Sequence, residues 1–233
     1  MTRLARTKLL FGADAVKKLQ NATVMVVGCG AVGSFAVEAL ARTGIGNLVL
    51  VDCDTVAESN INRQLIALDS TLGRSKVSVA AARIHDINPD INVVAINMFF
   101  DASSELDIRP DFVIDAIDTV PSKIDLYQWC NARNIPFVAS MGAGRKTDPT
   151  RIRIAKLSKT IVCPLASRVR KLAREHGIPD FDVVYSTESP CGPADGKEFG
   201  SLITVTGVFG LMLAGWVINR ITGTCQNGAI CSC

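Results

Sequence analysis

Apolar positions along the chain fall into short runs with two rhythms. Thr23–Val27 is a β-rich run that ends at Gly28, and Asn47–Val51 is a second apolar run closed by Asp52. Between them, residues 31–42 put Ala, Val and Leu on one helical face, and Gly44 and Gly46 end the segment. Strand, glycine turn, helix and strand in this order make a βαβ unit. The alternation continues with a helix over 75–87, closed by Asn88-Pro89, and strands over 91–96 and 111–117. A helix over 122–133 follows, then a strand over 136–140 that runs into Met141-Gly142-Ala143-Gly144. The pattern predicts an α/β fold, a Rossmann-type and mostly parallel sheet with helices on both faces.

After Gly144 the character changes. Residues 151–157 alternate basic and apolar, as an edge strand would, with Arg151 and Arg153 outward and Ile152 and Ile154 opposite them. Residues 164–176 read as a basic amphipathic helix and Asp182–Ser186 as a short strand. Residues 187–200, with Pro190, Gly192, Pro193 and Gly196, read as a mobile loop. Residues 201–219 carry no charge but contain Thr204, Thr206, Gly207, Gly210 and Gly215. They are expected to start as a strand-like stretch and form a buried terminal helix rather than a membrane span. The tail from Thr222 reads as frayed. The organisation expected is a nucleotide-binding core over 1–144, a small basic α/β extension over 145–221 and a tail over 222–233.

Composition fits a globular chain, with 48 % hydrophobic and 20 % charged residues. The net charge of +3 does not by itself imply a nucleic-acid partner. Its distribution says more. Ten Lys or Arg lie between 145 and 174, from Arg145 and Lys146 through Arg168, Arg170, Lys171 and Arg174, and only Asp148 and Glu175 oppose them up to residue 176. Such a run is a solvated surface or a polyanion-binding face. The eight cysteines follow no framework spacing, and the start is basic without a long apolar stretch. Both point to a reducing, cytoplasmic setting with free thiols.

Gly28-Cys29-Gly30-Ala31-Val32-Gly33 is a GxGxxG turn directly after a strand and opening a helix. Glycines let backbone approach a phosphate, and the helix N-terminus supplies amide donors. Asp52 ends the next strand, where a carboxylate accepts from ribose hydroxyls. Arg63, in Asn60-Ile61-Asn62-Arg63-Gln64, and Lys76 supply cations suited to a triphosphate rather than to a dinucleotide hydride carrier. Asp118, just past the 111–117 strand, is placed to hold Mg²⁺. Singly, Asn60 also reads as a helix cap, Arg63 and Lys76 as solvated helix charges, and Asp118 as an N-cap.

Together the glycine motif, Asp52-Cys53-Asp54, Ser59-Asn60-Ile61-Asn62-Arg63-Gln64, Lys76 and Asp118 resemble the adenylation site of the ubiquitin-activating-enzyme-like superfamily. That resemblance implies ATP and Mg²⁺ as cofactors. Gly28, Gly30, Gly33, Asp52, Asp54, Asn60, Arg63 and Lys76 would bind nucleotide, Asp118 would hold the metal, and Arg63, Lys76 and Asp118 would act in catalysis. It also implies a homodimer in which an N-terminal arginine, Arg6 first and Arg3 second, reaches the partner's site. Within the superfamily the chain is similar to the tRNA threonylcarbamoyladenosine dehydratases. The features that carry this are Gly142-Ala143-Gly144, Asp148-Pro149-Thr150-Arg151-Ile152, Pro164-Leu165-Ala166 and Val184-Tyr185-Ser186-Thr187-Glu188. The implied reaction is ATP-dependent cyclisation of a modified adenosine in tRNA, and the basic stretch then has a polyanionic partner. A sulfur-relay or cysteine-desulfurase partner is a further expectation.

The alternative is adenylation of the C-terminal glycine of a ubiquitin-like sulfur carrier. Activators of that kind usually carry two Cys-x-x-Cys pairs for zinc, and Cys225, Cys231 and Cys233 have the wrong spacing. An NAD-dependent oxidoreductase leaves Arg63, Lys76 and Asp118 without a role, with His85 and His176 in helices away from the glycine turn. A tRNA-binding relative without activity leaves the ATP residues without one. Cys163 has no assigned role, and Cys191 in the 187–200 loop reads as a bystander thiol.

Overall fold

A computed structural model describes residues 2–192 and 199–224. The central sheet has seven strands in the order β3-β2-β1-β4-β5-β7-β6. They are β1 (Thr23–Val27), β2 (Asn47–Val51), β3 (Asn92–Ile96), β4 (Phe112–Asp115), β5 (Phe137–Ser140), β6 (Ile152–Lys156) and β7 (Asp182–Ser186). All neighbours pair in parallel except β6, which runs antiparallel on β7 at the edge. From β1 the chain builds outward through β2 to β3, then crosses back to place β4 on β1's other side. The strand order therefore reverses between β1 and β4, the place where open α/β sheets bind ligands.

Period-two alternation along the strands splits the interior into two cores. Val24, Val26, Leu48, Leu50, Ile114, Val138 and Val184 face one side. There they meet α2 (Ala13–Asn21), α3 (Gly33–Thr43), α4 (Lys76–Ile87) and α7 (Ile203–Thr222). Met25, Val27, Val49, Val51, Val113, Ala139 and Val183 face the other. That side is covered by α5 (Val120–Ala132) and α6 (Pro164–Glu175). Central strands buried on both faces read as continuous apolar runs, which is why β1 and β2 are plain in the sequence.

α7 takes in most of the uncharged 201–219 segment and ends with Arg220 in its last turn; it is a core helix packed on α3. A Cβ on Gly210 would stand 2.2 Å from the Val32 carbonyl oxygen and 2.8 Å from Cβ of Phe35, and one on Gly207 would be 3.3 Å from the Phe35 ring. Two of its glycines thus permit a close helix crossing, which offsets their low helix propensity. The expected strand-like start is corrected: the helix runs from Ile203, with Leu202 as its extended N-cap. The β-branched residues Ile203, Thr204 and Val205 suggested a strand, and packing on α3 overrides that preference.

Two elements went unread in the sequence, α1 (Ala5–Phe11) and α2. α1 buries no residue and leaves Leu9 and Leu10 exposed at 76 % and 75 %. Only Phe11, at its end, packs on the core, so the helix carries no apolar periodicity to read. A second correction concerns β6. Arg151 and Arg153 are exposed and Ile152 is buried as expected, but Ile154 is 42 % exposed. Arg151 itself closes a short 3₁₀ turn before β6. The expected loop over 187–200 lies partly, and the frayed tail almost wholly, outside the described residues.

Candidate active site

The glycine turn follows β1 and abuts the exit of β4. Its glycines have separate reasons. Gly28 has φ +94°, and a Cβ there would stand 2.6 Å from the Ala116 carbonyl oxygen. A Cβ on Gly33 would lie 1.7 Å from the carbonyl oxygen of Gly28. Gly30 meets only Gln64 Nε2 at 3.7 Å, ordinary contact, so Gly28 and Gly33 shape the turn while Gly30 leaves its outer side open to a ligand. The Asp52 carboxylate accepts from the Cys29 amide at 2.6 Å and from the Asp54 amide at 2.8 Å, tying the end of β2 to the turn. Burial, and then the charge of Asp52, push the Cys29 thiol far above its ordinary value, so it is inert.

Lys76 opens α4 and is not a solvated helix charge. It is buried, with Nζ 2.7 Å from the Asp54 carboxylate. Arg63 is half-buried and donates from Nη1 to the Ser59 carbonyl at 2.6 Å and to Asn62 Oδ1 at 2.9 Å. Asn60 is the last residue of a 3₁₀ turn whose N-cap is Ala57, and its Oδ1 reaches back to accept from the Ala57 amide at 3.2 Å. Asp118 is exposed beyond β4 and, among the described residues, accepts only from Thr119 Oγ1, at 3.2 Å, while Thr119 takes the N-cap position of α5. The capping alternative for Asp118 is thereby removed. An open carboxylate is hard oxygen chemistry of the kind Mg²⁺ prefers. Asp52, Cys53 and Asp54 also lie within 4.8 Å of one another, but both carboxylates there already hold amides or Lys76. The Cys53 thiol is raised by burial and by the neighbouring Asp54 and Asp52.

Arg6 does not join this group. It lies exposed on α1, on the face that carries Leu9 and Leu10. Arg3 is committed within the chain, donating to the Ile87 carbonyl at the end of α4 at 2.8 Å.

Three further residues escaped the sequence reading. Asp115, at the end of β4, is fully buried. Its carboxylate accepts from Lys123 Nζ at 2.7 Å, Tyr127 Oη at 2.5 Å and the Ile117 amide at 2.9 Å. Burial, then the charge of Asp115, hold the Tyr127 hydroxyl well above its usual value, so it remains a donor. This network fixes the 116–118 segment that both presses on Gly28 and carries Asp118. The available signal was Lys123 and Tyr127, four residues apart on one face of α5. A cleft of about 420 Å³ lined by Leu106, Ile108, Arg133 and Asn134 opens where β4 and β5 begin, the opposite end of the sheet.

The basic stretch divides. Arg151, Arg153, Lys156, Lys159, Arg168, Lys171 and Arg174 are exposed. Lys146 is buried and donates to the Glu188 carbonyl, and Arg145 donates to the carbonyls of Cys191 at 3.0 Å and Gly192 at 2.6 Å. Arg170 donates to Thr160. These three are structural. Cys163 is buried and would sit 3.3 Å from a Cβ on Gly142.

A glycine turn at the reversal point of a parallel sheet, flanked by an acid after β2, two cations and an open carboxylate after β4, defines a nucleotide-binding α/β protein. The chain belongs to the ThiF family, whose model matches residues 3–231. It is 48 % identical over 192 residues to the tRNA threonylcarbamoyladenosine dehydratase of Bacillus subtilis, covering 81 % of this chain and 76 % of the relative. The crystal structure of the E. coli enzyme of that name, TcdA, in complex with ATP superposes with a TM-score of 0.89 at 36 % identity. That match covers 97 % of this chain and 96 % of the other. The molybdopterin-synthase adenylyltransferase of Haemophilus influenzae is 37 % identical over 128 residues, 54 % of this chain and 53 % of that one.

Proposed function

We propose that this chain is an ATP-dependent tRNA threonylcarbamoyladenosine dehydratase. The carrying observation is the extent of the likeness. The dehydratases of Haemophilus influenzae and E. coli match 91 % and 94 % of this chain in sequence, whereas the molybdopterin-synthase adenylyltransferase matches 54 %. ATP lies across the strand ends in sheet order in this reading. Asp52 after β2 takes the ribose, the Gly28–Gly33 turn after β1 takes phosphates, and the phosphate chain extends towards Asp118 after β4. Arg63 and Lys76 complete the cationic side, with Asn60 and Asp54 fixing the loop and Lys76. Asp118 holds Mg²⁺, which when bound neutralises charge on the departing pyrophosphate.

The substrate carboxylate attacks the α-phosphorus, the bond to the β-phosphate oxygen breaks and pyrophosphate leaves. The acyl carbon of the resulting mixed anhydride is then attacked from within the same side chain, AMP departs with the carboxylate oxygen, and the substrate has lost water overall. No enzyme nucleophile is required: Cys29 and Cys163 are buried, and the exposed Cys53 thiol is held above its ordinary value by burial and by Asp54 and Asp52. Incubating the enzyme with ATP and threonylcarbamoylated tRNA, then digesting to nucleosides for mass spectrometry, should show a product lighter by one water. An unchanged nucleoside would sink the assignment and leave an adenylating enzyme of another substrate.

The core over 1–144 and the basic extension over 145–221 divide the work in this reading, nucleotide in the first and tRNA in the second. The exposed residues of α6, Arg168, Lys171 and Arg174, recur on one face and suit phosphates. Arg168→Ala with Lys171→Ala should lower the slope of log affinity for tRNA against log salt by roughly 0.7–0.9 per lost contact, while ATP affinity stays constant. An identical salt slope in filter binding would remove α6 from the interface.

The reading includes a homodimer. Leu9 and Leu10 on α1 stand in water, where burial of each would gain about 1.5–3 kcal/mol, and Arg6 shares their face. A partner covering α1 would bring Arg6 towards its own phosphate site. Cytoplasmic residence belongs to the same reading, supported by Cys29, Cys53, Cys130, Cys163 and Cys191 as free thiols. A sulfur-relay or cysteine-desulfurase partner would address the exposed Cys191.

A further inference from the structure

Phe199 is 64 % exposed, close beside the candidate site. Single exposed apolar residues are ordinary, but this one is built in. A Cβ on Gly144 would stand 2.4 Å from Cε2 and 2.5 Å from Cδ2 of its ring, so the ring occupies the space any other residue at 144 would fill. The chain after it is pinned twice. The Gly200 carbonyl accepts from the Arg145 amide at 2.8 Å, and the Ser201 carbonyl accepts from Asn62 Nδ2 at 3.2 Å. The first bond ties it to the exit of β5 and the second to the loop that carries Arg63. Leu202 and Ile203, 42 % and 41 % exposed, continue the apolar surface.

Sheet order gives this place a meaning. Ribose, phosphates and metal are assigned in turn to the ends of β2, β1 and β4; Gly144 and Phe199 lie at the next strand end, that of β5, and the Asn62–Ser201 bond joins that place to the loop carrying Arg63, so Phe199 borders the phosphate site on the side left open to the tRNA. We propose that Phe199 is the platform on which the unpaired nucleobase bearing the reacting group stacks. The inference rests on the tRNA reading above. A base drawn from its strand needs another π-face, and proteins that read single-stranded loops supply aromatic rings for it. One ring side is seated against backbone and the exposed part is available to the base.

The test uses the full chain with threonylcarbamoylated tRNA and compares Phe199→Ala, Phe199→Leu and Phe199→Trp. Stacking is worth about 1–3 kcal/mol per base, so Phe199→Ala and Phe199→Leu should each raise the KM for tRNA by roughly 5- to 150-fold. Phe199→Trp should stay near wild type, and the KM for ATP should remain unchanged in all three. Leucine separates the roles: it fills space but has no π-face, so full activity in Phe199→Leu would mean packing and overturn the proposal. A parallel rise in the KM for ATP would overturn it too, by placing the ring against nucleotide. If wild-type enzyme fails to convert tRNA, the reading and the inference fall together. If wild type converts it and Phe199→Ala matches wild type, only the inference falls.

Discussion

Asp118→Ala yields a folded protein whose pyrophosphate release falls by about two to three orders of magnitude or more, the usual cost of removing one preorganised charge-stabilising group. Asp118 is exposed and, among the described residues, makes one side-chain hydrogen bond and caps no helix. Substitutions at such positions change stability by about 0.5 kcal/mol or less. The expected signature is therefore a melting temperature near wild type with adenylation lost. Asp118→Asn keeps an oxygen but not the charge, and should fall between. A coupled pyrophosphate assay beside a thermal melt reads both quantities, and wild-type release from Asp118→Ala would end the metal-holding role assigned to it.

Lys123→Ala fails in the opposite way, through stability. Lys123 and Asp115 are fully buried 2.7 Å apart, and removing the cation leaves a carboxylate sealed in the interior beside an aromatic hydroxyl. Breaking one side of a buried pair costs about 3–5 kcal/mol, a large share of the roughly 5–15 kcal/mol that holds a domain folded. Lys123→Met with Asp115→Asn removes both charges, keeps similar volumes, leaves an amide oxygen to accept from the Ile117 amide and turns an NH2 donor towards the Tyr127 oxygen. The double variant should recover much of the loss in urea unfolding. Because Asp115 also holds the 116–118 segment, it should still adenylate more slowly than wild type, with Asp118 less well placed. A single variant as stable as wild type would show that the pair contributes little.

The sequence determined most of the sheet and the nucleotide end of the site, since those signals are local. β1, β2 and β7 have the predicted bounds because central parallel strands must be apolar on both faces, and GxGxxG between a strand and a helix is a steric requirement within a few residues. The same locality explains the misses. α1 touches the core only through Phe11, and the start of α7 is strand-like until α3 packs on Gly207 and Gly210. Lys76 reads as a surface charge until the fold brings Asp54 against it from 22 residues away. Lys123 carries no signal of its own until β4 delivers Asp115 into the interior. Of the ten basic residues, Lys146, Arg145 and Arg170 are spent on carbonyl and hydroxyl partners that sequence distance conceals. Phe199 acquires its seat from Gly144, 55 residues earlier. Local sterics and periodicity are written residue by residue; pairing of charges and placement of rings depend on which distant segments share a boundary, and only the folded sheet order sets that.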